Sequence, residues 1–139
     1  MQSPPELEAL FNAAKAAQAR AHAPYSRFAV GAALRSASGA LHVGCNVENA
    51  AYPEGICAET SAIAAMVVAG ESRINEIVIV GGDAMLTPCG GCRQRILEFA
   101  DASTRIYCAS SDGIKAGFTI AELLPVAFAS DTPGWRAPT

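Results

Sequence analysis

The 139-residue chain is 51% apolar and only 17% charged, which fits one globular domain and excludes a disordered protein. Its formal net charge is −3 and its lysines and arginines form no cluster, which speaks against a nucleic-acid groove. No apolar run approaches the roughly 20 residues that span a bilayer, and the first 30 residues lack a signal-peptide pattern, so we expect a cytoplasmic protein.

The hydrophobic pattern predicts alternating helices and strands. In chain order, the predicted elements are a helix over 6–21, strands over 28–35 and 40–47, a helix over 57–69, a strand over 77–80, a helix over 89–100, strands over 104–109 and 117–120, and a helical turn over 121–124. The strand over 77–80 is continuously apolar, as is typical of a central strand buried on both faces. This order predicts an α/β protein, a three-layer α/β/α sandwich with a mixed five-stranded sheet.

The expected extent of the domain is the whole chain. We predict a single domain over 1–139, with a core over about 6–128 and a surface tail over 129–139 that is rich in proline and polar residues. The helix over 57–69 is apolar nearly all round, which predicts burial on every side. In a domain this small, one flank of such a helix would meet another subunit; the alternative is enclosure by its own sheet.

Three cysteines and one glutamate form the most informative pattern in the chain. Cys89 and Cys92 form a Cys-x-x-Cys pair at the start of one helix, and Cys57 precedes Glu59 by two residues at the start of another. Three thiolates occupy three positions of a tetrahedral zinc ion and leave the fourth for water, as catalytic sites do. Residues two apart in a regular helix point roughly 200° apart, so Cys57 and Glu59 share a site only if Cys57 lies at the mouth of its helix.

The pattern therefore predicts one Zn²⁺ per chain, held by Cys57, Cys89 and Cys92, with Glu59 as proton carrier. This combination favours hydrolytic deamination of a nucleobase. The alternatives are a structural zinc knuckle, with His22 or His42 as a fourth ligand, or unrelated buried thiols. The remaining two thiols lie in strand-like runs and are expected to be buried and inert; they are Cys45 and Cys108.

Four further segments of the chain resemble cytidine deaminases of the small three-cysteine kind, over about residues 6–128. They run in the family's order: APYSRFAVGAAL at 23–34, GCNVENA at 44–50, PCGGCRQ at 88–94 and LLPVAF at 123–128. The resemblance implies a cytidine deaminase-like fold and a hydrolase that converts cytidine and deoxycytidine to uridine and deoxyuridine with release of ammonia. It also implies a role in pyrimidine salvage and a homotetramer whose active sites are completed across subunits.

The same resemblance implies roles for residues around the zinc site. Asn46 and Glu48 would hydrogen-bond the ribose 3′-hydroxyl, because a carboxamide and a carboxylate together serve both halves of a hydroxyl. Phe28 would stack on the base, and the Ala58 backbone N–H would hold the pyrimidine O2. Phe128 would reach the base bound in a neighbouring subunit.

One position departs from the pattern of the family. Thr60 stands where such enzymes usually carry an arginine that hydrogen-bonds the zinc thiolates and offsets their charge. A hydroxyl donates one hydrogen bond and adds no charge. We therefore expect a more electron-rich metal site, unless another cation such as Arg93 compensates.

Three rival functions remain open at this point. The chain could deaminate another aminopyrimidine such as blasticidin S, although the Asn46–Glu48 segment favours a nucleoside. A deaminase acting on RNA or DNA is disfavoured by the net charge. A non-catalytic zinc domain that binds nucleosides or a partner has no use for a carboxylate at Glu59.

Overall fold

The computed structural model describes residues 4–129, so nearly all of the predicted tail lies outside the described residues. Every predicted helix and strand is found, with bounds shifted by a few residues. In chain order these are α1 (Pro5–Gln18), β1 (Val30–Ser36), β2 (Leu41–Cys45), a 3-10 helix (Tyr52–Glu54), α2 (Ala58–Val68), β3 (Ile74–Gly81), α3 (Gly90–Glu98), β4 (Arg105–Ser110), β5 (Gly113–Phe118) and α4 (Ile120–Leu123).

The five strands form one mixed sheet in the order β2-β1-β3-β4-β5. The hairpin partners β1 and β2 are antiparallel, and β1 also runs antiparallel to β3. The β3–β4 pair is parallel, and α3 makes the crossover that a parallel connection needs. The prediction of a central β3 is confirmed.

Helices cover both faces of the sheet, so the predicted three-layer α/β/α sandwich is confirmed. Alternation along β3 divides the core in two. Val78 and Val80 face α1, where they join one buried cluster with Leu10 and Ala14 of that helix. The opposite face, where Ile77 lies, packs against α2 and α3; the buried residues of that side include Ile79, Ala58, Ala62, Met66 and Ile96.

Gly44 brings α2 close to the edge strand β2. A Cβ built on Gly44 would lie 2.3 Å from the Ala62 backbone nitrogen and 2.6 Å from the Ala58 carbonyl oxygen. Any side chain there would push the helix away from the sheet. This contact sets the position of the N-terminal turn of α2, where the candidate site lies.

The alternative that its own sheet encloses the second helix is wrong, and contact of one flank with another subunit stays a prediction for α2. Its inner face is buried, but Val67 and Val68 are 47% and 89% exposed, and Ala64 and Ala65 are exposed as well. The physical reason is that α2 lies in an outer layer, where only one side of a helix meets the sheet. An apolar flank of α2 therefore faces outwards. Among residues 4–129, no helix has both the length and the hydropathy that crossing a membrane requires.

Glu71, in the loop between α2 and β3, forms a polar cluster at one end of the sheet. Its carboxylate accepts a hydrogen bond from the Ser36 hydroxyl at 2.6 Å and lies 3.0 Å from Nε2 of His42. The Ser36 bond, followed by bonds with Ser38 and His42, lowers the pKa of Glu71 from its ordinary 4.5 to about 2. The ionised carboxylate therefore stabilises the folded state.

Because the folded pKa lies below the unfolded value, this stabilisation is present above about pH 4.5 and is lost as the pH falls towards about 2. We expect Glu71→Gln to lower the Tm at pH 7, with a difference from the wild type that narrows below about pH 4.5. Thermal unfolding followed by circular dichroism across this range measures it. Glu98→Gln, which changes an exposed carboxylate of α3, is the control. A constant difference across the range would contradict the prediction.

Candidate active site

Two helix N-termini present the three predicted metal ligands. Cys57 is the N-cap of α2, with an extended backbone (φ −78°, ψ 160°), and Cys89 is the N-cap of α3 (φ −66°, ψ 167°). Both residues precede the regular helix, which confirms the placement predicted for Cys57. Cys92, in the first turn of α3, is fully buried. The chain therefore folds so that two helix N-termini and one buried thiol converge.

The sulfur atoms are close enough to share one metal ion. The Sγ atoms of Cys57 and Cys89 lie 4.0 Å apart, and the three sulfurs lie within 4.8 Å of one another. Zn–S bonds of about 2.3 Å in a tetrahedron imply sulfur separations of about 3.8 Å, so the donor set fits one zinc ion per chain. All five cysteines are free thiols, so no disulfide competes for these sulfurs.

Among residues 4–129, no fourth protein ligand joins these thiols. Within residues 4–129 they form the only group of three or more potential ligand side chains. His42 instead pairs with Glu71, and His22 is absent from the group. The fourth position of a tetrahedral ion is therefore left for a non-protein ligand, which separates this site from a structural zinc knuckle.

Burial works against ionisation of these thiols. It is the main cause that raises the pKa of Cys57 and of Cys92. Burial also opposes ionisation of Cys89, but hydrogen bonds from the Cys92 N–H and from the other two thiols outweigh it and lower the pKa of Cys89. The positive ends of α2 and α3 favour thiolates, yet three adjacent thiolates need a cation as well. A bound dication meets that need.

Glu59 lies in the first turn of α2 beside the thiols and is only 4% exposed. Burial raises the pKa of this carboxyl, opposed in part by its own backbone N–H, by the Cys92 thiol and by the charge of Arg95. A carboxyl with a raised pKa can accept a proton and return it, as a general acid–base catalyst must. Arg95 was not singled out from the sequence, because its proximity to Glu59 depends on how α2 and α3 pack.

An open cavity of about 320 Å³ leads to this carboxyl and is large enough for a small ligand. Its lining includes two of the three predicted metal ligands, the predicted proton carrier and three residues predicted to bind substrate, namely Cys57, Cys89, Glu59, Asn46, Glu48 and Ala58. A second cavity of about 390 Å³ adjoins it and shares Glu48 and Tyr52. Residues far apart in the chain thus meet at one opening.

Asn46 and Glu48 also hold the segment before β1, a role that the sequence did not reveal. Asn46 Oδ1 accepts from the Val30 N–H at 2.9 Å, and its Nδ2 donates to the Phe28 carbonyl at 2.8 Å. Glu48 accepts hydrogen bonds from Ser26, which lower the pKa of its carboxyl. Each side chain keeps part of its hydrogen-bonding capacity for a ligand, because an amide nitrogen carries two hydrogens and a carboxylate about four lone pairs.

The two predicted aromatic residues occupy different places. Phe28 is 43% exposed, and its ring lies against the backbone of Gly81 and Gly82 at the end of β3. Phe128 is 54% exposed, and its carbonyl accepts from the Gln94 side chain at 2.8 Å. Phe128 is not among the residues that line the cavity of its own chain.

Arg93, the cation that could compensate for Thr60, makes its hydrogen bonds elsewhere. Its guanidinium donates to the carbonyls of Pro88 and Leu123, both at 2.8 Å, and so ties α3 to α4. The Thr60 hydroxyl is buried and has no hydrogen-bond partner among the described residues. Arg93 therefore acts as a structural clamp.

Two helix N-termini of a three-layer sandwich bring three thiols and a buried carboxyl to an open cavity. This combination of fold and site defines the class of zinc-dependent deaminases. The family model for the cytidine and deoxycytidylate deaminase zinc-binding region matches residues 4–109. The chain belongs to this family.

Relatives and solved structures agree with that assignment. A cytidine deaminase of Sporosarcina psychrophila is 37% identical over 133 residues, which cover 95% of this chain and 98% of the relative. A cytidine deaminase of Mycobacterium tuberculosis is 40% identical over 121 residues, which cover 86% of this chain and 86% of the relative. The crystal structure of a cytidine deaminase from Burkholderia pseudomallei, 40% identical, superposes with a TM-score of 0.83 over 87% of this chain and 98% of that one.

Proposed function

We propose that this chain catalyses the hydrolytic deamination of cytidine and deoxycytidine to uridine and deoxyuridine, with release of ammonia. The observation that carries the proposal is the buried Glu59 carboxyl beside a three-thiol cluster, at an open cavity lined by Glu59, Cys57 and Cys89. Family membership and relatives named cytidine deaminase support the choice of substrate.

The chemistry divides between the metal and the residues of the chain. Zinc held by Cys57, Cys89 and Cys92 would supply a Lewis acid that makes water nucleophilic at neutral pH. The Glu59 carboxylate accepts a proton from the attacking water and delivers it to N3 of the pyrimidine, which prepares C4 for addition. Glu59 next takes the remaining proton from the hydroxyl added at C4 and delivers it to the exocyclic amino group; the C4–N bond breaks, the C4 carbonyl forms and ammonia leaves. The Ala58 N–H, which as the first amide of α2 has no partner within that helix, binds the O2 of the base.

Asn46 and Glu48, which line the cavity that contains Glu59, favour a nucleoside over a free base. Asn46 retains an N–H donor and Glu48 retains acceptor capacity after their bonds to the chain are counted. A donor beside an acceptor suits a sugar hydroxyl, and we assign the ribose 3′-hydroxyl to this pair. Phe28 contacts the base from the β3 side. This pair disfavours blasticidin S as the substrate.

Ultraviolet absorbance of cytidine incubated with purified, zinc-loaded protein tests this function. We expect the cytidine band to disappear as uridine and ammonia form. No change, with one zinc per chain present, would contradict cytidine as substrate and direct the assay to other aminopyrimidines such as blasticidin S. Failure there too would favour a non-catalytic zinc domain.

We also propose that the active enzyme is a homotetramer in which Phe128 completes the site of a neighbouring subunit. The exposed apolar flank of α2 and the exposed Phe128 ring, whose backbone is held at Gln94, support this assembly. An apolar flank of this kind on a small protein is typical of an interface.

Val68→Glu should therefore weaken the assembly, because it places a charge in the proposed interface. Light scattering coupled to size exclusion should show the mass fall from four chains towards one, with cytidine turnover falling in parallel. Ser103→Glu, on an exposed loop after α3, is the matched control. An unchanged mass for Val68→Glu would place the interface elsewhere.

The remaining proposals concern extent and location. We propose a single domain over 1–139, with a core over about 6–128 and a surface tail over 129–139. We place the protein in the cytoplasm and its reaction in pyrimidine salvage. Support for the location comes from the five free cysteines, because a thiolate metal site needs a compartment that keeps thiols reduced.

A further inference from the structure

The Ser26 hydroxyl connects two residues of the proposed substrate pocket. It accepts a hydrogen bond from the Phe28 backbone N–H at 3.0 Å and donates one to Glu48 Oε2. The backbone N–H groups of Tyr25 and Ser26 donate to Glu48 Oε1 at 3.0 and 3.1 Å. One carboxylate therefore accepts three hydrogen bonds from a single turn. The serine hydroxyl, which donates one of them, also accepts the hydrogen bond from the Phe28 N–H.

This turn contains a backbone conformation that needs outside support. Arg27, between Ser26 and Phe28, has φ +57°, in the left-handed region that non-glycine residues seldom occupy. Its N–H donates to the Ala23 carbonyl at 3.0 Å. Such a conformation persists only where neighbouring contacts hold it. The bonds to Glu48 are contacts of that kind, and they come from a residue more than 20 positions away.

The Glu48 end of this connection lines the cavities, and the Phe28 end lies beside them without lining either. Glu48 lines the cavity that contains Glu59 and also the adjoining one, and Ser26 lines the latter. The Phe28 ring approaches Gly81 at the same place as the Leu86 and Val30 side chains, both of which line the Glu59 cavity. A change in the turn would therefore move the carboxylate and the ring relative to each other.

We propose that Ser26 is a positioning residue of the substrate pocket. Its hydroxyl connects Glu48 to the backbone of Phe28 and fixes the position of the carboxylate relative to the Phe28 ring. The inference rests on the proposed function, in which Glu48 binds the sugar and Phe28 contacts the base. Neither group touches the reacting C4, so loss of the serine hydroxyl affects binding more than turnover.

Kinetics of Ser26→Ala with cytidine test the inference. A lost hydrogen bond to a charged group predicts a KM raised roughly tenfold, with kcat within about twofold of the wild type. Zinc content should stay at one per chain. Ser26→Thr keeps a hydroxyl at the same place and should restore KM towards the wild-type value.

Ser103→Ala is the matched control. Ser103 donates its hydroxyl and its backbone N–H to the Asp101 carboxylate, in the same manner as Ser26 to Glu48, but it lines neither cavity. The KM of Ser103→Ala for cytidine should equal that of the wild type. If Ser26→Ala and Ser103→Ala show the same KM, or if Ser26→Ala lowers only kcat and Tm, the inference is wrong.

Amide hydrogen exchange separates this inference from the proposed function. In Ser26→Ala the backbone amides of Tyr25, of position 26 and of Phe28 should exchange faster than in the wild type, whether or not cytidine is the substrate. Unchanged exchange would overturn the inference even if the wild type deaminates cytidine. A wild type that leaves cytidine unchanged overturns the proposed function, while faster exchange in the variant would still support the connection from Ser26 to Glu48 and Phe28.

Discussion

Glu59→Gln is expected to keep one zinc per chain and to lose nearly all turnover of cytidine. Glutamine matches the size of glutamate and keeps a hydrogen-bonding end, but it can neither take nor return a proton. General acid–base catalysis by one group contributes about 10²–10⁴-fold. Because Glu59 is the proposed carrier for proton transfers to both N3 and the amino group, we expect a fall in kcat of roughly 10³-fold or more.

The absorbance assay measures this loss, and atomic absorption measures the zinc. Stability should not fall, because Glu59 is 4% exposed and burial disfavours its charged form. Glu98→Gln, an exposed carboxylate on α3, is the control and should retain full activity. If Glu59→Gln retains more than about a tenth of the wild-type kcat, the assigned proton carrier is wrong.

Cys92→Ser is expected to lose both zinc and activity. Cys92 is the fully buried member of the three-thiol group, and a serine hydroxyl is a poor substitute for a soft thiolate on zinc. Removing a residue that merely orients a ligand typically costs 10–100-fold in metal affinity. Loss of a ligand itself should cost more than about 100-fold, which leaves the protein largely free of metal after dialysis against a weak chelator.

Cys108→Ser is the matched control for this variant. Cys108 is also a fully buried thiol, but it lies in β4 and is not a member of the thiol group. Both substitutions bury a hydroxyl, so a general loss of stability would appear in both. Only Cys92→Ser should lose zinc, as measured by metal analysis of the dialysed protein. One zinc per chain in dialysed Cys92→Ser would show that Cys92 is not a ligand.

The architecture and the metal cluster could be predicted from sequence because their signals are local. A continuous apolar run marked the central strand β3. The helical period alone required Cys57 to precede the regular part of α2, and the structure places it at the N-cap. The Cys-x-x-Cys spacing likewise brings Cys89 and Cys92 to the first turn of α3.

Other features depend on contacts between distant parts of the chain, which no local pattern encodes. Periodicity showed that α2 is apolar all round, but the layer in which a helix packs decides which flank remains exposed. Motif resemblance marked Glu48 as a ligand residue, yet only the fold brings it to the turn at Ser26. Arg93 could be expected near the thiols, but packing of α3 against α4 directs its guanidinium to Leu123.

The sequence by itself thus determined the order of elements and marked the three cysteines that the fold brings together. It also predicted Glu59 as the proton carrier, because these signals lie in residue type and short spacing. The tertiary structure decided which of these residues also support one another. Asn46 holds both ends of the Phe28–Val30 segment because β2 pairs with β1, an arrangement set by the whole sheet. Hydrogen bonds of this kind form only after long loops close, so their partners follow from the packed fold.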